Sequence, residues 1–334
     1  MPNGRVKGAV ALVGGLADPY EDRVRWNLSE LKEIKSLVCE HNVWDVMYPP
    51  KGANIMTLKW VYTVKTNGEL KSRLVCRGFK QIQGVDYHET FSPVAKLVTL
   101  RIILSLAAAY DLELGCMDIK TAFLNAPIEE DVWVRPPPHL SHLLSQLLDD
   151  PDVSHDDKNR IRDHIERLSR GEMLKLLMAL YGTKQAGRNW YLLLDQFLKG
   201  LGFKANKADN CLYTLIINDI DFVLLLLYDE DIIIAATTEA LVRQYREIIG
   251  KRFRISHSGS LTSYLNIAIE RDRAAYTISL GQQQFIETMN LQFRIPVDTS
   301  VVTPMQENLK LLATEEENVT EKQLQYIKNF PIGD

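Results

Sequence analysis

The segment FVLLLLYDEDIIIAA, residues 222–236, places three adjacent acidic residues between two strongly hydrophobic runs. The runs predict two β-strands, Phe222 to Tyr228 and Ile232 to Thr237, joined by a tight turn. Carboxylates beside buried strands are costly to desolvate unless they meet cations. The pattern therefore predicts that the acids project together from one end of an antiparallel sheet.

A fourth carboxylate is predicted to complete this cluster. Asp118 lies near the end of a predicted strand, Leu112 to Ile119, and its nearest charged neighbour is Lys120. Hard oxygen ligands suit Mg²⁺, and two such ions about 3.5 to 4 Å apart can clamp an in-line phosphoryl displacement. The alternative is that the acids merely solvate a turn.

A basic hairpin is the second local signal. Trp60 to Lys65 and Leu70 to Cys76 alternate like strands, and Asn67-Gly68 between them favours a type I′ turn. Lys71 and Arg73 lie on this hairpin, although the whole chain carries a net charge of −4. Any contact with nucleic acid must therefore come from a local basic surface. The alternative is that the basic residues of the hairpin simply face solvent.

Composition excludes several classes of protein. With 334 residues, 46% hydrophobic and 25% charged, the chain has room for more than one packing unit and is neither disordered nor collagen-like. The apolar run Phe222 to Leu227 is too short to span a membrane. The four cysteines of the chain form no C-x-x-C pair, which argues against a zinc site or a disulfide framework. This pattern favours a reducing compartment.

The order of the predicted elements favours an α+β fold around an antiparallel sheet. Helices are predicted for Trp26 to Glu40, Val98 to Tyr110, Gln185 to Gly200 and Thr238 to Phe253, without strict βαβ alternation. Residues 139–173 are acidic and partly helical, which predicts a surface insertion.

Four segments carry a family resemblance. They are KSRLVCRGF (71–79), DYHETFSPV (86–94), MDIKTAFLN (117–125) and LYGTKQA (180–186). They are similar, in content and order, to the motifs of the reverse transcriptase of copia-type LTR retrotransposons. The similarity runs from about Trp26 to Pro304 and is too extended to be a chance motif match.

The resemblance implies a right-hand polymerase, with palm and fingers, that copies an RNA or DNA template from a primer with deoxynucleoside triphosphates and Mg²⁺, or alternatively Mn²⁺. It assigns catalysis and metal binding to Asp118, Glu230 and Asp231. It assigns nucleotide binding to a second group of residues: Lys71, Arg73, Phe123, Tyr181, Gly182 and Gln185. Phe123 matches the bulky residue that screens the 2′-hydroxyl of the nucleotide, although plain core packing is the alternative for an aromatic residue there.

The resemblance also implies a domain plan. We expect an N-terminal tail over 1–25, an N-terminal helix and basic fingers hairpin over 26–110, a palm over 111–255 and the end of the palm with the start of the thumb over 256–334. The acidic insertion 139–173 lies within the palm range. Capsid, integrase and RNase H segments are expected to be absent from this chain, which is expected to be intracellular, cytoplasmic or nuclear, without a membrane partner.

Departures from the family pattern predict that this copy is severely impaired. Glu230 stands where the family has an aspartate, and Asp229 replaces an apolar residue beside it. Gly187 stands in place of a proline and Asn266 in place of a glycine. The alternative function is a catalytically dead or co-opted remnant that keeps the fold and nucleic-acid binding. A protein-binding scaffold has only the acidic insertion in its favour.

Overall fold

The computed structural model describes residues 19–65, 68–265, 267–293 and 320–321. Asn67 of the predicted turn and Asn266 lie outside the described residues, as do the first 18 residues of the predicted tail and most of 294–334.

The described residues contain seven α-helices: α1 (Pro19–Lys35), α2 (Leu97–Ala109), α3 (Leu140–Leu148), α4 (His155–Ser169), α5 (Ala186–Gly200), α6 (Glu239–Arg252) and α7 (Gln283–Phe293). A π-helical turn, Ser36–Glu40, continues α1, and 3₁₀ turns cover Gly78–Lys80 and Ala122–Asn125. Helix α1 begins seven residues before the predicted start at Trp26, inside the segment expected to be tail. None of these helices is long and apolar enough to cross a membrane.

Fourteen strands are described: β1 (Trp44–Met47), β2 (Ile55–Val64), β3 (Leu70–Cys76), β4 (Glu113–Ile119), β5 (Trp133–Arg135), β6 (Met173–Leu176), β7 (Lys204–Ala205), β8 (Leu212–Ile216), β9 (Phe222–Tyr228), β10 (Asp231–Ala236), β11 (Ile255–Gly259), β12 (Ser263–Tyr264), β13 (Ile267–Asp272) and β14 (Thr277–Gly281). The predicted strands of the basic hairpin and those on either side of the acidic turn form within one or two residues of their expected ends. The exception is β2, which begins five residues before Trp60.

The strands form three sheets. The largest has the order β11-β4-β10-β9-β8-β7 and is antiparallel throughout. A second sheet has the order β1-β6-β5-β2-β3, in which β2 and β5 are the single parallel pair, and β12, β13 and β14 form the third. Helices and mainly antiparallel strands are mixed along the chain, so the α+β prediction is confirmed.

Strands β9 and β10 lie at the centre of the core. Residues 223–227 and 232–236 are all buried, so both faces of these strands are covered. This double burial explains why their sequences are continuously apolar rather than alternating. Helix α6 packs on β4 and β10, and the Trp190 ring of α5 meets Phe253 edge-on at 5.1 Å. The acidic turn between the two strands is thus held at the end of a rigid sheet.

The acidic insertion 139–173 is more than the surface feature that its charge predicts. Helices α3 and α4 pack against each other, and their apolar faces bury Leu144, Leu147 and Ile161. Lys35 of α1 contacts Asp150 at 2.8 Å, between the two helices. The acidic residues indicated a solvated segment, whereas the leucines at helical spacing dock the segment on α1 and β1.

Asp209 fastens the start of α2 to the loop before β8. Its carboxylate accepts hydrogen bonds from the Lys96 amide (3.0 Å), the Thr99 hydroxyl (2.5 Å) and the Cys211 amide (3.0 Å). Although burial opposes it, these donors hold the pKa of Asp209 below its usual range. The carboxylate therefore holds the N-cap residue Lys96 and the side chain of Thr99 in the first turn of α2, which has no side-chain cap of its own.

We expect Asp209→Asn to lower the free energy of unfolding by about 1–3 kcal/mol, because an amide NH₂ must then face an N–H or O–H donor. The loss should be full above the unfolded pKa of about 3.9 and should disappear as pH falls through the lower folded pKa. Urea unfolding at pH 7 and pH 3 measures this difference. Asp219→Asn, at an exposed position, is the control, and an equal loss in both variants would contradict the prediction.

Candidate active site

The turn between β9 and β10 is fixed from both sides. Tyr228 pairs with Asp231, which leaves Asp229 and Glu230 as the two turn residues. Asp229 has a positive φ of 49°, and its carbonyl accepts a 2.7 Å hydrogen bond from the indole of Trp190. The carbonyl of Glu230 accepts a 2.9 Å bond from the amide of Ile119. The backbone on which the acids stand is therefore held by α5 and by β4.

Three of the acids form a cross-strand group. Asp231 of β10 lies directly opposite Asp118 of β4. Residues directly opposite in an antiparallel pair project from the same face with their Cβ atoms about 4.5–5.5 Å apart. Glu230 precedes Asp231 in the turn, and all three side chains are half-buried, whereas Asp229 is exposed. The sheet register thus brings Asp118, Glu230 and Asp231 to one end of the largest sheet.

The electrostatics of this group are repulsive. Burial raises the pKa of Glu230, and the charge of Asp118 raises it further. Burial also raises the pKa of Asp231, with Asp118 and Asp229 adding to the shift. Like charges held together in a partly dry site favour binding of a cation, because a cation removes the repulsion.

The basic hairpin faces these acids. The charges of Arg73 and Lys71 oppose the rise in the pKa of Glu230. Burial lowers the pKa of Lys71, and Arg73 lowers it further, while Glu230 and Glu33 act in the opposite direction. Two cations on β3 therefore lie within electrostatic range of Glu230.

Aromatic side chains line the same region. The guanidinium of Arg73 lies 5.9 Å from the centre of the Tyr181 ring, within the range of a cation–π contact. Phe123, five residues after Asp118, meets Tyr181 edge-on at 6.1 Å. Burial raises the pKa of Tyr181, so its phenol stays neutral. The structure thus brings Phe123, Tyr181 and Arg73 together, and the charge of Arg73 acts on Glu230.

Two of the predicted nucleotide-binding residues, Gly182 and Gln185, make close contacts inside the protein. Gly182 has φ +84°, and a Cβ there would stand 2.2 Å from the carbonyl oxygen of Cys76, so its close backbone approach is to β3. Gln185 is buried, and its side-chain amide accepts a hydrogen bond from Nε2 of Gln81 (2.9 Å) and donates one to the carbonyl of Asp86 (2.8 Å). The Gln185 amide is therefore buried and hydrogen-bonded within the protein.

Sequence reasoning missed Glu33. Its carboxylate, on α1, accepts a 3.1 Å hydrogen bond from the amide of Leu74, and its charge acts on Lys71 and Arg73. Burial raises the pKa of Glu33 despite these donors and cations. The sequence signal was weak, because an acid on an amphipathic helix is ordinarily a solvated residue.

The carboxylates of Asp118, Asp231 and Glu230 are chemically suited to bind Mg²⁺. Among the residues that the structure describes, no three His, Cys, Asp or Glu side chains converge closely enough to hold an ion by themselves. Mg²⁺ ordinarily takes only one or two carboxylates, with waters and substrate phosphates as its other ligands. The opposed pair Asp118 and Asp231 meets that requirement, with Glu230 beside it.

Comparison with known proteins points in one direction. The family described as reverse transcriptase (RNA-dependent DNA polymerase) matches residues 41–143 and 164–307. The interruption falls within the segment that carries α3 and α4.

Curated relatives come from plant transposons. The chain is 31% identical over 302 residues to the retrovirus-related Pol polyprotein from transposon TNT 1-94 of Nicotiana tabacum, covering 89% of this chain and 21% of the relative. It is 29% identical over 293 residues to the corresponding polyprotein from transposon RE1 of Arabidopsis thaliana, covering 86% and 18%. The chain thus spans about a fifth of the length of these relatives.

Among solved structures, an apo telomerase from Candida tropicalis, truncated from its C-terminal domain, is 11% identical and has a TM-score of 0.35. That likeness covers 77% of this chain and 60% of the telomerase chain.

Proposed function

Because the chain belongs to the reverse transcriptase (RNA-dependent DNA polymerase) family of copia-type retrotransposon Pol polyproteins, we propose that the acids opposite the basic hairpin are its nucleotidyl-transfer centre. The substrates are a primed RNA or DNA template and deoxynucleoside triphosphates. The observation that carries the proposal is the direct opposition of Asp118 and Asp231, with Lys71 and Arg73 acting electrostatically on the neighbouring Glu230.

In the proposed reaction, the 3′-oxygen of the primer bonds to the α-phosphorus of the nucleotide as the bond to the bridging oxygen of the β-phosphate breaks. Pyrophosphate leaves, and the hydroxyl proton passes to solvent. Bound Mg²⁺ would supply charge neutralisation of the phosphates and a more acidic 3′-hydroxyl. Asp118 and Asp231, with Glu230, would hold the ion at the sheet end.

The remaining residues bind and orient the nucleotide. Lys71 and Arg73 would make charge-assisted contacts with the triphosphate, which are among the stronger hydrogen bonds in proteins. Phe123, packed on Tyr181, would stand beside the sugar and exclude a 2′-hydroxyl. Gly182 and Gln185 would contribute by fixing the loop that carries Tyr181, since both contact the chain itself.

A second candidate function is a non-catalytic remnant that retains the fold and nucleic-acid binding. Glu230 favours it, because one extra methylene displaces a carboxylate by about 1.5 Å. Asp229 favours it as well, since its charge raises the pKa of Asp231 and adds to the negative potential near the phosphates.

Primer extension on a defined RNA template, with Mg²⁺ and then Mn²⁺, distinguishes the two candidates. Incorporation that follows the template sequence supports the polymerase. Retained binding of primed template without incorporation, in the native chain and in Glu230→Asp, would favour the remnant.

The double substitution Lys71→Gln with Arg73→Gln is expected to raise the KM for deoxynucleoside triphosphates at least about 100-fold. Each lost charge-assisted hydrogen bond is worth roughly 1.5–3 kcal/mol, and ground-state binding is lost as well as transition-state binding. Steady-state single-nucleotide incorporation measures KM and kcat separately.

The matched control for this pair is Lys51→Gln with Lys59→Gln, which removes two exposed cations near and on β2. An unchanged KM in the Lys71 and Arg73 variant, or an equal rise in the control, would contradict the assignment of the basic hairpin to the triphosphate.

A further inference from the structure

Three residues after Asp118 the backbone adopts an unusual conformation. Thr121 has φ 54° and ψ 43°, in the left-handed region. A β-branched residue is a genuine outlier there, and such a conformation persists only when the surrounding structure holds it. The contacts of Thr121 therefore show what that surrounding structure is.

Hydrogen bonds of three side chains, those of Thr121, His41 and Asn125, hold this turn. The Thr121 hydroxyl donates a 2.6 Å hydrogen bond to the carbonyl of Lys120, and its oxygen lies 2.8 Å from Nε2 of His41. A hydroxyl has a single proton, so Nε2–H of His41 must be the donor in the second bond. The side-chain amide of Asn125 donates to the carbonyls of Thr121 (3.1 Å) and Ala122 (3.2 Å).

His41 is suited to act as a fixed neutral donor. It follows the π-helical turn after α1, and its amide bonds to the carbonyl of Ser36 at 3.1 Å. Burial lowers the pKa of His41, and the charges of Lys120 and Arg254 lower it further against the opposing charge of Glu40. The imidazole thus ties the end of α1 to the turn that follows β4.

This turn connects Asp118 to Phe123. Ile119 and Lys120 are anchored by backbone bonds to Glu230 and Arg254, at 2.9 and 2.8 Å. The 3₁₀ turn that carries Phe123 starts directly after Thr121. The amide of Leu124 donates a 2.9 Å hydrogen bond to the carbonyl of Thr121. A change of conformation at Thr121 would therefore swing Phe123 while leaving Asp118 in its strand.

We propose that His41 is a positioning residue that acts through Thr121 to set the place of Phe123, and thereby the preference of the site for deoxyribonucleotides over ribonucleotides. The proposal rests on the proposed function, in which Phe123 stands beside the sugar. His41 itself touches neither nucleotide nor metal in this scheme. It lies in the N-terminal part of the chain, far from the acids in sequence.

The test measures kcat/KM for a deoxyribonucleotide and for the matching ribonucleotide on one template. His41→Leu, which lacks a donor, and Thr121→Val, which keeps the branched shape without the hydroxyl, should each lower the ratio about tenfold, since a displacement near 1 Å changes rates on that scale or more. His41→Gln offers an N–H in place of the imidazole donor and should restore most of the ratio. A general loss of stability would lower both rates and leave their ratio unchanged.

His142→Leu is the matched control, because His142 is exposed on α3. If His41→Leu fails to fold by circular dichroism, Thr121→Val decides the result. Should native extension be too slow to measure, the series is made in Glu230→Asp. An unchanged ratio in variants that extend primers overturns this proposal alone, whereas no extension in native or Glu230→Asp protein overturns the proposed function with it.

Discussion

Template-directed primer extension is expected to fall at least about 10³-fold when Asp118 is replaced by asparagine. A bound metal ion supplies several kcal/mol of charge stabilisation in the transition state, and about 1.4 kcal/mol corresponds to a factor of ten in rate. Asparagine keeps the size of the side chain and removes its charge. The measurement is single-turnover incorporation with Mg²⁺ on a primed RNA template.

The position of Asp118 in the sheet explains why this change should affect chemistry more than folding. Its backbone pairs with Asp231 on one side and with β11 on the other, and these pairings do not involve the side chain. The variant should therefore keep the far-ultraviolet circular dichroism and the template affinity of the native chain. If the variant lost both template binding and nucleotide incorporation, a folding defect would be the cause instead.

Asp219→Asn is the control for Asp118→Asn, since it removes a carboxylate from an exposed loop without touching the sheet end. Extension by Asp118→Asn at the rate of this control would contradict the assignment of Asp118 to the metal-binding group. The proposed metal site would then have lost the residue on which its geometry depends.

The sheet end was predictable because its signals are strong and local. The apolar runs on either side of the acidic turn indicated β9 and β10, and the strand Leu112 to Ile119 indicated β4. Once three antiparallel strands are adjacent, period-two alternation limits the side chains that can share a face. The opposition of Asp118 and Asp231 follows from that register.

Other features of the fold and of the site could not be predicted because their causes are non-local. Strand β5 has three residues and pairs in parallel with β2, far away in sequence, which leaves no periodic signal. Gln185 is buried by a network with Gln81 and Asp86, some 100 residues earlier. The left-handed conformation of Thr121 is one that a β-branched residue disfavours. It is held by contacts with His41, which is 80 residues away in sequence, and with Asn125.

Glu230→Asp is expected to raise the rate of primer extension about 10- to 100-fold. The extra methylene of glutamate moves the carboxylate by about 1.5 Å, and a misplacement of about 1 Å costs on the order of 10²-fold. The turn cannot shift to compensate, because Trp190 holds the carbonyl of Asp229 and Ile119 holds that of Glu230. Side-chain length therefore decides where the oxygens lie.

Two further variants separate length from charge. Glu230→Gln keeps the length and removes the charge, so extension should fall below the native rate, whereas Glu129→Asp shortens an exposed acid and should change nothing. Burst kinetics on an RNA template measure all four proteins. A rate in Glu230→Asp no higher than the native rate, with template binding intact, would show that the extra methylene is not the defect. The charge of Asp229 beside the site would then be the next cause to test, with Asp229→Val, because that charge raises the pKa of Asp231.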